Sequence, residues 1–257
     1  MDVLIYTSYE RLIIGGWDSV FMLLAPWMSP KRKNGVICES SIFEYRRSGL
    51  KDAVKKLFLS RISTGYPCGV AQAMLLDRLG FRGELRPTGG CGLLNYVEQP
   101  PYEERRCVKE FLYVGRLVEV KNLALLIEVF NLRADLHLMI VGFGELEGQL
   151  KAMAGANVEF MGAVKNKELP DVYRKADVFV LTSSSETWGL VVEEALNNGT
   201  PVIVSDKVGC RLDLVTDETG LVFDHDSGES LMQAVDKMTD IAFYNRLRKN
   251  ISGLDFL

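Results

Sequence analysis

Histidine is nearly missing from this chain: only His137 and His225 occur in 257 residues. Zinc sites draw on His and Cys at close spacings, and the five cysteines, Cys38, Cys68, Cys91, Cys107 and Cys210, are scattered without them. No zinc centre is therefore expected. The odd cysteine number also argues against a closed disulfide framework. Long apolar runs are lacking too, none approaching the roughly 18 residues that cross a bilayer. The start, MDVLIYTSYE, carries an early acid and no basic segment ahead of a signal-type apolar core, so the expectation is a cytoplasmic protein without a secretion signal. Phosphate loops of the G-x-G-x-x-G kind are absent as well. Gly15-Gly16 lies too far from the strand expected at Val3–Tyr6 and opens no such unit. Asp224-His225-Asp226 has the spelling of a D-x-D metal motif, but it follows a strand where a turn is expected.

What is present suits a soluble α/β protein. The apolar share of 47% can bury a sizeable core, and 257 residues make one large domain or two small ones. The net charge of -4 divides unevenly: residues 1–106 hold 15 Lys+Arg against 11 Asp+Glu, and residues 107–257 hold 15 against 23. Two halves of different surface character follow, and no nucleic-acid partner is expected.

In the first half, Val3–Tyr6 reads as a buried strand and Val20–Ala25 as a helix ending near Pro26. Lys31–Gly35 reads as a turn, then Val36–Cys38 as a strand that puts Glu39 at its carboxyl end, where α/β proteins place ligands. Ser48–Ile62 sets Leu50, Val54, Leu57 and Phe58 on one helical face, with Lys51, Lys55, Lys56 and Arg61 largely elsewhere. This basic amphipathic helix reads first as a lobe helix with a solvated basic face. Its second reading is peripheral docking on an anionic inner membrane surface. A helix over Val70–Leu79 and a strand over Glu84–Arg86 lead into the loop Thr88-Gly89-Gly90-Cys91-Gly92.

Residues 95–108, with Pro100-Pro101, read as a linker. Beyond them strands alternate with helices: Phe111–Val114 and Leu123–Phe130, Leu136–Val141 and Leu146–Met153, Val158–Met161 and Pro170–Ala176, then Val178–Leu181. Val202–Val204, a short helix near Leu212, Leu221–Phe223 and Leu231–Met238 continue the series. Strands this apolar, spaced by helices, imply a parallel sheet covered on both faces, a doubly wound nucleotide-binding domain.

The stretch Ser183–Val204, SSSETWGLVVEEALNNGTPVIV, carries the chemistry. It reads as strand, tight loop and helix, with Glu186 at the loop and Glu194 about two turns into the helix, on the order of 10 Å away. One ligand could touch both, and the helix amino terminus between them, opened by Gly189, offers N–H groups to a diphosphate. On their own, the glutamates read first as a helix cap, Glu186, and two solvated surface acids, Glu193 and Glu194. In VGRLVEVKN, Arg116 and Lys121 lie five residues apart on one loop, where a planar fork and a point charge can converge on an anion.

The pattern of Glu186, a small residue, Trp188, Gly189, then Glu194, Ala195 and Gly199-Thr200-Pro201-Val202 resembles the retaining glycosyltransferases of the GT-B fold, group 1 family, from about Lys109 onward. The resemblance implies an α/β protein of two Rossmann-like lobes, here a partial acceptor-side lobe over 1–105 and a donor-binding lobe over 106–257. It implies transfer of a sugar from a UDP- or GDP-sugar to a glycan or lipid-linked acceptor, in surface polysaccharide synthesis. Arg116 and Lys121 match the family's pyrophosphate-binding pair. Gly142 and Gly144 would lie beside the nucleoside, and Met161 and Gly162 would offer backbone contacts to the base. Trp188, Gly189 and Leu190 would belong to the donor-binding set, with Gly189 letting the backbone approach the diphosphate, and Glu194 would accept hydrogen bonds from the ribose hydroxyls. Glu186 would face the donor sugar and stabilise an oxocarbenium-like transition state, with no cofactor and no metal. Glu39 is the candidate on the acceptor side. The first half departs from the family in being short, as though the chain began partway through the acceptor lobe. The alternative expectation is therefore a nucleotide-sugar-binding module impaired by truncation.

Overall fold

The structure is a computed structural model that describes residues 8–90, 92–93 and 96–254. The strand expected at Val3–Tyr6 and Cys91 of the glycine loop lie outside the described residues. The chain divides into two compact units, Met1–Cys91 and Gly92–Leu257.

The first unit runs β1 (Leu12–Ile14), α1 (Val20–Leu24), β2 (Asn34–Cys38), α2 (Gly49–Leu59), β3 (Thr64–Pro67), α3 (Val70–Arg78) and β4 (Glu84–Leu85). Pro26 follows α1 and the chain tightens into a 3-10 turn, Ala25–Met28. The four strands are parallel in the order β1-β2-β3-β4. Each right-handed crossover steps one strand in the same direction, so the helices fall on one face. Their core is one cluster in which Ile14, Val36 and Cys38 meet Phe58, Leu59, Leu75, Leu76 and Leu79. Side chains that alternate with these along the strands point the other way. Ile13 there is 53% exposed. Two strands are not foreseen by the pattern: β1 is a three-residue piece, and β3 is Thr-Gly-Tyr-Pro, whose Gly and Pro read as a turn.

The second unit runs β5 (Glu110–Val114), α4 (Leu123–Asn131), β6 (His137–Val141), α5 (Glu147–Met153), β7 (Val158–Gly162), α6 (Leu169–Lys175), β8 (Val178–Leu181), α7 (Leu190–Asn197), β9 (Val202–Ser205), α8 (Arg211–Leu214), β10 (Gly220–Phe223), α9 (Gly228–Thr239) and α10 (Ile241–Ile251). Its six strands are parallel in the order β10-β9-β8-β5-β6-β7. The chain walks outward from β5 to β7, then returns to lay β8 on the other side of β5. That reversal puts helices on both faces, and β8 and β9 are buried at every residue, which is why they read as unbroken apolar runs.

The stretch read as a linker is not loose. Asn245 brackets the backbone of Arg105 with hydrogen bonds at 2.9 Å to both its N–H and its carbonyl. Arg174 donates to the Glu98 carbonyl at 2.7 Å and Asn197 to that of Val97 at 3.1 Å. These side chains of α6, α7 and α10 hold residues 97–105 as a strap on the second unit. The units accordingly part at 91/92, ahead of the expected boundary at 105/106. The composition of the strap is polar because its partners are hydrogen bonds. Among the described residues Cys38, Cys68, Cys107 and Cys210 are unbridged, and no helix is long and apolar enough to cross a membrane.

Candidate functional site

In an open α/β sheet the crevice forms where strand order reverses, outside the carboxyl ends of the strands. Here the reversal lies between β5 and β8. The loops that leave those two strands are 115–122 and 182–189, which hold Arg116, Lys121 and Glu186. They are tied together directly: Thr182 Oγ1 donates to the Lys121 carbonyl at 2.7 Å, and the Ser184 N–H donates to the Val120 carbonyl at 2.8 Å. At Asn122 the chain turns through a left-handed conformation, φ 51°, and its side chain donates to the His225 carbonyl at 2.8 Å.

Lys121 Nζ forms an ion pair and hydrogen bond with Glu186 Oε2. Ser183 Oγ lies 3.2 Å from the same oxygen. Both charged side chains are largely buried, at 14% and 18% exposure, so this pair is shielded far better than a surface salt bridge. Arg116 is exposed and makes no side-chain hydrogen bond or ion pair among the described residues. Its backbone is held by the buried Tyr113, whose hydroxyl donates to the Arg116 carbonyl at 3.0 Å. Burial, and next the charge of Glu186, push the Tyr113 phenol up, so it stays a donor.

The segment carrying Glu186 is pinned from its far side. The Gly209 N–H donates to the Glu186 carbonyl at 2.9 Å, and the Cys210 N–H to that of Trp188 at 2.9 Å. Gly189 then caps α7 with φ 103°, and a β-carbon there would sit 3.1 Å from Val208. Glycine supplies both the conformation and the clearance. Leu190 follows as the first residue of α7 and is 42% exposed. The Trp188 ring is 3% exposed. It donates from Nε1 to Glu193 Oε2 at 2.8 Å, so its side chain serves the packing under the loop.

Glu194 is half-buried, and Tyr173 donates its hydroxyl to Glu194 Oε2 at 2.9 Å. Burial raises the pKa of Glu194 and the Tyr173 bond opposes it. Glu193 is likewise raised by burial, with Trp188 opposing. Glu193 is 6% exposed, so it is no solvated surface acid. Sequence reasoning passed over Tyr173 and Ser183. Tyr173 sits at a core position of α6, where an aromatic reads as packing, and Ser183 is one of three successive serines.

Gly142 and Gly144 leave β6 at the same edge of the sheet. A β-carbon on Gly142 would lie 1.8 Å from the Gly115 carbonyl oxygen, and one on Gly144 would lie 2.3 Å from that of Leu117. Their lack of side chains therefore serves the approach of one loop to another. Phe143 between them is 66% exposed. Met161, 42% exposed, and Gly162, φ 70°, end β7, and the Gly142 N–H donates to the Gly162 carbonyl at 2.8 Å. The segments that bear Arg116, Lys121, Gly142, Gly144, Met161, Gly162 and Glu186 thus lie at the carboxyl ends of β5 to β8, with Gly189 and Leu190 at the start of α7, while Glu194 lies farther along that helix. Glu39 belongs to the first unit, where it is exposed at the end of β2.

One acidic cluster borders this edge. Ligand atoms of Asp206, Asp224 and His225 lie within 4.8 Å of one another, which joins part of the Asp-His-Asp spelling to a residue after β9. Its charge is already shared: Lys207 Nζ sits 2.6 Å from Asp206 Oδ2, and the His225 N–H donates to Asp206 Oδ1 at 3.1 Å. A cation there would have to compete with Lys207.

Residues 99–252 match the family model for glycosyl transferases group 1. Among curated proteins, the GDP-mannose-dependent alpha-mannosyltransferase of Mycolicibacterium smegmatis is 38% identical over 123 residues, 48% of this chain and 32% of the relative. The lipopolysaccharide core biosynthesis glycosyltransferase LpsE of Rhizobium meliloti is 28% identical over 177 residues, 66% of this chain and 51% of the relative. The matches thus span between a third and a half of these relatives' lengths. Among solved structures, Anabaena HepE in complex with UDP superposes with a TM-score of 0.77 at 16% identity, covering 95% of this chain and 73% of that one. The fold class is the expected one, two Rossmann-like units of the GT-B kind.

Proposed function

Because this chain belongs to the group 1 glycosyl transferases, we propose that it transfers a sugar from a UDP- or GDP-sugar to a glycan or lipid-linked acceptor with retention of configuration. The observation that carries the reading is the convergence at the β5/β8 reversal of a buried Lys121–Glu186 pair, the exposed Arg116 and the amino terminus of α7.

Arg116, Lys121 and the first N–H groups of α7 receive the diphosphate. Lys121 then faces two anions, the phosphate and the Glu186 carboxylate. It holds Glu186 next to the anomeric carbon, where a carboxylate stabilises positive charge developing on the sugar. As the glycosidic bond breaks, charge builds on the departing diphosphate, and the same fixed cations stabilise it without a metal ion. Glu194 accepts from the ribose hydroxyls, with Tyr173 occupying one of its oxygens and leaving the other for the ligand. The backbone at Met161 and Gly162 contacts the base, and Trp188, Gly189 and Leu190 shape the diphosphate turn. Glu39 is assigned to the acceptor side. Surface polysaccharide synthesis at the cytoplasmic face of a membrane fits this chemistry, and the relative LpsE is a glycosyltransferase of lipopolysaccharide core biosynthesis.

A panel of nucleotide sugars tests the reading. The matching donor raises the melting temperature of the chain, since it binds only the folded state, and its sugar appears on an added acceptor in the presence of EDTA. No shift with any UDP- or GDP-sugar overturns the donor site, and a strict need for a divalent ion overturns the metal-free step. A second reading, a nucleotide-sugar-binding module without turnover, is favoured by the exposure of Ile13 on the first sheet, 53% among the described residues. Donor binding without transfer would select it.

A further inference from the structure

We propose that a cavity at the amino edge of the second sheet, walled by Arg105, Arg174 and Arg248, is a second anion site. It takes a phosphate group and thereby clamps the strap of residues 97–105 onto α6, α7 and α10. The inference goes beyond the donor crevice and does not rest on it.

The donor crevice lies where the strands end. This cavity, of about 150 Å³, includes Ala176 and Thr200 in its lining. Both stand just ahead of strands, β8 and β9, so the cavity occupies the opposite edge of the same parallel sheet. Its lining belongs wholly to the second unit. Three elements deliver the cations: Arg105 comes from the strap, Arg174 from the last turn of α6 and Arg248 from the last turn of α10. The single carboxylate in the lining, Glu103, is exposed. Like charges gathered around one hollow repel unless an anion answers them.

The fold answers them only in part. Arg174 donates from Nε to Asn198 Oδ1 at 3.0 Å and from Nη2 to the Glu98 carbonyl at 2.7 Å. Arg105 donates from Nη2 to the Arg174 carbonyl at 3.3 Å, and its Nε lies 3.8 Å from Asp177 Oδ1. That carboxylate is turned to the backbone, its Oδ2 accepting from the N–H groups of Lys109 at 2.8 Å and Glu110 at 3.0 Å. In both guanidinium groups Nη1 has no partner among the described residues. Arg248 Nε is buried and makes no hydrogen bond there either. Arginines near helix carboxyl ends can serve the terminal carbonyls, which accounts for the reach of Arg105 to Arg174 but not for the Arg248 Nε. Buried donors are paired in nearly every fold. Donors left over on three guanidinium groups around one hollow suit a tetrahedral oxyanion, whose oxygens accept several charge-assisted hydrogen bonds at once. At about 30 Å³ per water the cavity holds about five waters, room for a phosphate group. The bound group would join Arg105 to Arg174 and Arg248, adding to the hold of Asn245 on the Arg105 backbone.

Hydrogen exchange on the full chain tests this, with sodium phosphate as the probe and sodium chloride at matched ionic strength as the control. At phosphate about a hundred times its dissociation constant, backbone amides in 97–105 should exchange up to about a hundredfold more slowly, because opening the strap would release the ligand. By calorimetry, Arg248→Gln should weaken phosphate binding at this site by about tenfold or more and abolish the strap protection. Arg248→Lys, which keeps the charge without the planar fork, should lose less, and Arg116→Ala in the donor crevice should leave the strap protection unchanged. Melting temperatures check that the variants fold, and exchange in the parent decides the matter without them. Glycerol phosphate, run beside inorganic phosphate, tells whether the group binds as an ester or free, the tighter of the two naming the source. Equal protection by chloride overturns the proposal and leaves the arginines as neutralisers of helix ends. Protection confined to 182–190 overturns it as well, by placing the phosphate in the donor crevice. So does a folded Arg248→Gln chain whose strap is protected as in the parent.

Discussion

The two units are assembled from the same repeating strand and helix, yet one builds a crevice and the other, over its described residues, does not. In the first, every crossover steps the same way, so four strands follow in chain order and the helices share one face. In the second, the chain turns back after β7 and lays β8 beside β5. Only such a reversal parts two neighbouring loops to opposite sides of the sheet and opens a gap between them. The loops then have to be fixed, and the second unit does this with backbone contacts: 115–117 against 142–144, 120 against 184, and 186–188 against 208–210. Position in the sheet order decides where a ligand can bind, and contacts between loops decide how rigidly the chemistry is held.

Four sets of substitutions would break or sharpen that contrast. The largest effect is expected from Glu186→Gln, which keeps the shape of the loop and removes its carboxylate. Turnover should fall by about a hundredfold or more, with affinity for the bare nucleotide little altered. Steady-state kinetics beside calorimetry decide this, and an equal loss in both would assign Glu186 to the nucleotide.

Next comes the pinning of the loops. Gly142→Ala drives a β-carbon into the Gly115 carbonyl, 1.8 Å away, and should destabilise the second unit by about 2 to 3 kcal/mol. Gly49→Ala in α2 meets nothing within 4 Å and should be neutral or slightly stabilising. Thermal melts that gave the same loss for both would show that the loop contacts do not differ from open helix surface.

Lys121→Ala and Arg116→Ala should each weaken UDP or GDP binding by about 1.5 to 3 kcal/mol while sparing the nucleoside. They should differ from one another. Lys121→Ala strands a partly buried Glu186, so it should also lower the melting temperature, whereas the exposed Arg116 should leave it unchanged. Calorimetry with nucleoside and diphosphate, combined with melts, tests both halves of this statement.

The smallest effect belongs to Tyr173→Phe, which should reduce nucleotide affinity by about 1 kcal/mol. Its signature is in pH. Burial raises the Glu194 carboxyl and Tyr173 opposes it, so losing the hydroxyl raises it further. A carboxyl raised in the folded state binds protons the unfolded chain has released. Its ionisation therefore lowers stability as pH climbs from the ordinary glutamate value to the raised one. In the variant that window should extend to higher pH, and the acid loss of nucleotide affinity should begin at higher pH as well. A profile superimposable on the parent's would separate Tyr173 from Glu194.

Much of this was legible because it depends on local pattern. The unbroken apolar runs at Val178–Leu181 and Val202–Val204 are strands buried on both faces. The polar loop and Gly189 between β8 and α7 mark a strand-to-helix turn wherever they occur. The elements missed are those whose order comes from partners. β3 contains Gly and Pro yet is a strand because it pairs on both edges with β2 and β4. α10 lies beyond Leu231–Met238, the last element of the expected series, and Asn245 shows its use only by holding Arg105. The strap at 97–105 reads as linker because hydrogen bonds to distant side chains leave no periodicity behind.

By itself, then, the sequence determined the alternation of strand and helix in the second unit, the loops that bear Arg116, Lys121 and Glu186, and the spacing to Glu194. These follow from side-chain periodicity and from the conformations open to glycine and proline, which act over a few residues. The tertiary structure alone decided that β8 returns to β5, that Lys121 meets Glu186, that Trp188 turns inward to Glu193, and that Leu50, Val54 and Leu57 face water. Each of these is a choice among partners distant in the chain. It is settled by which surfaces the whole fold can bury together, and no short stretch of sequence encodes that.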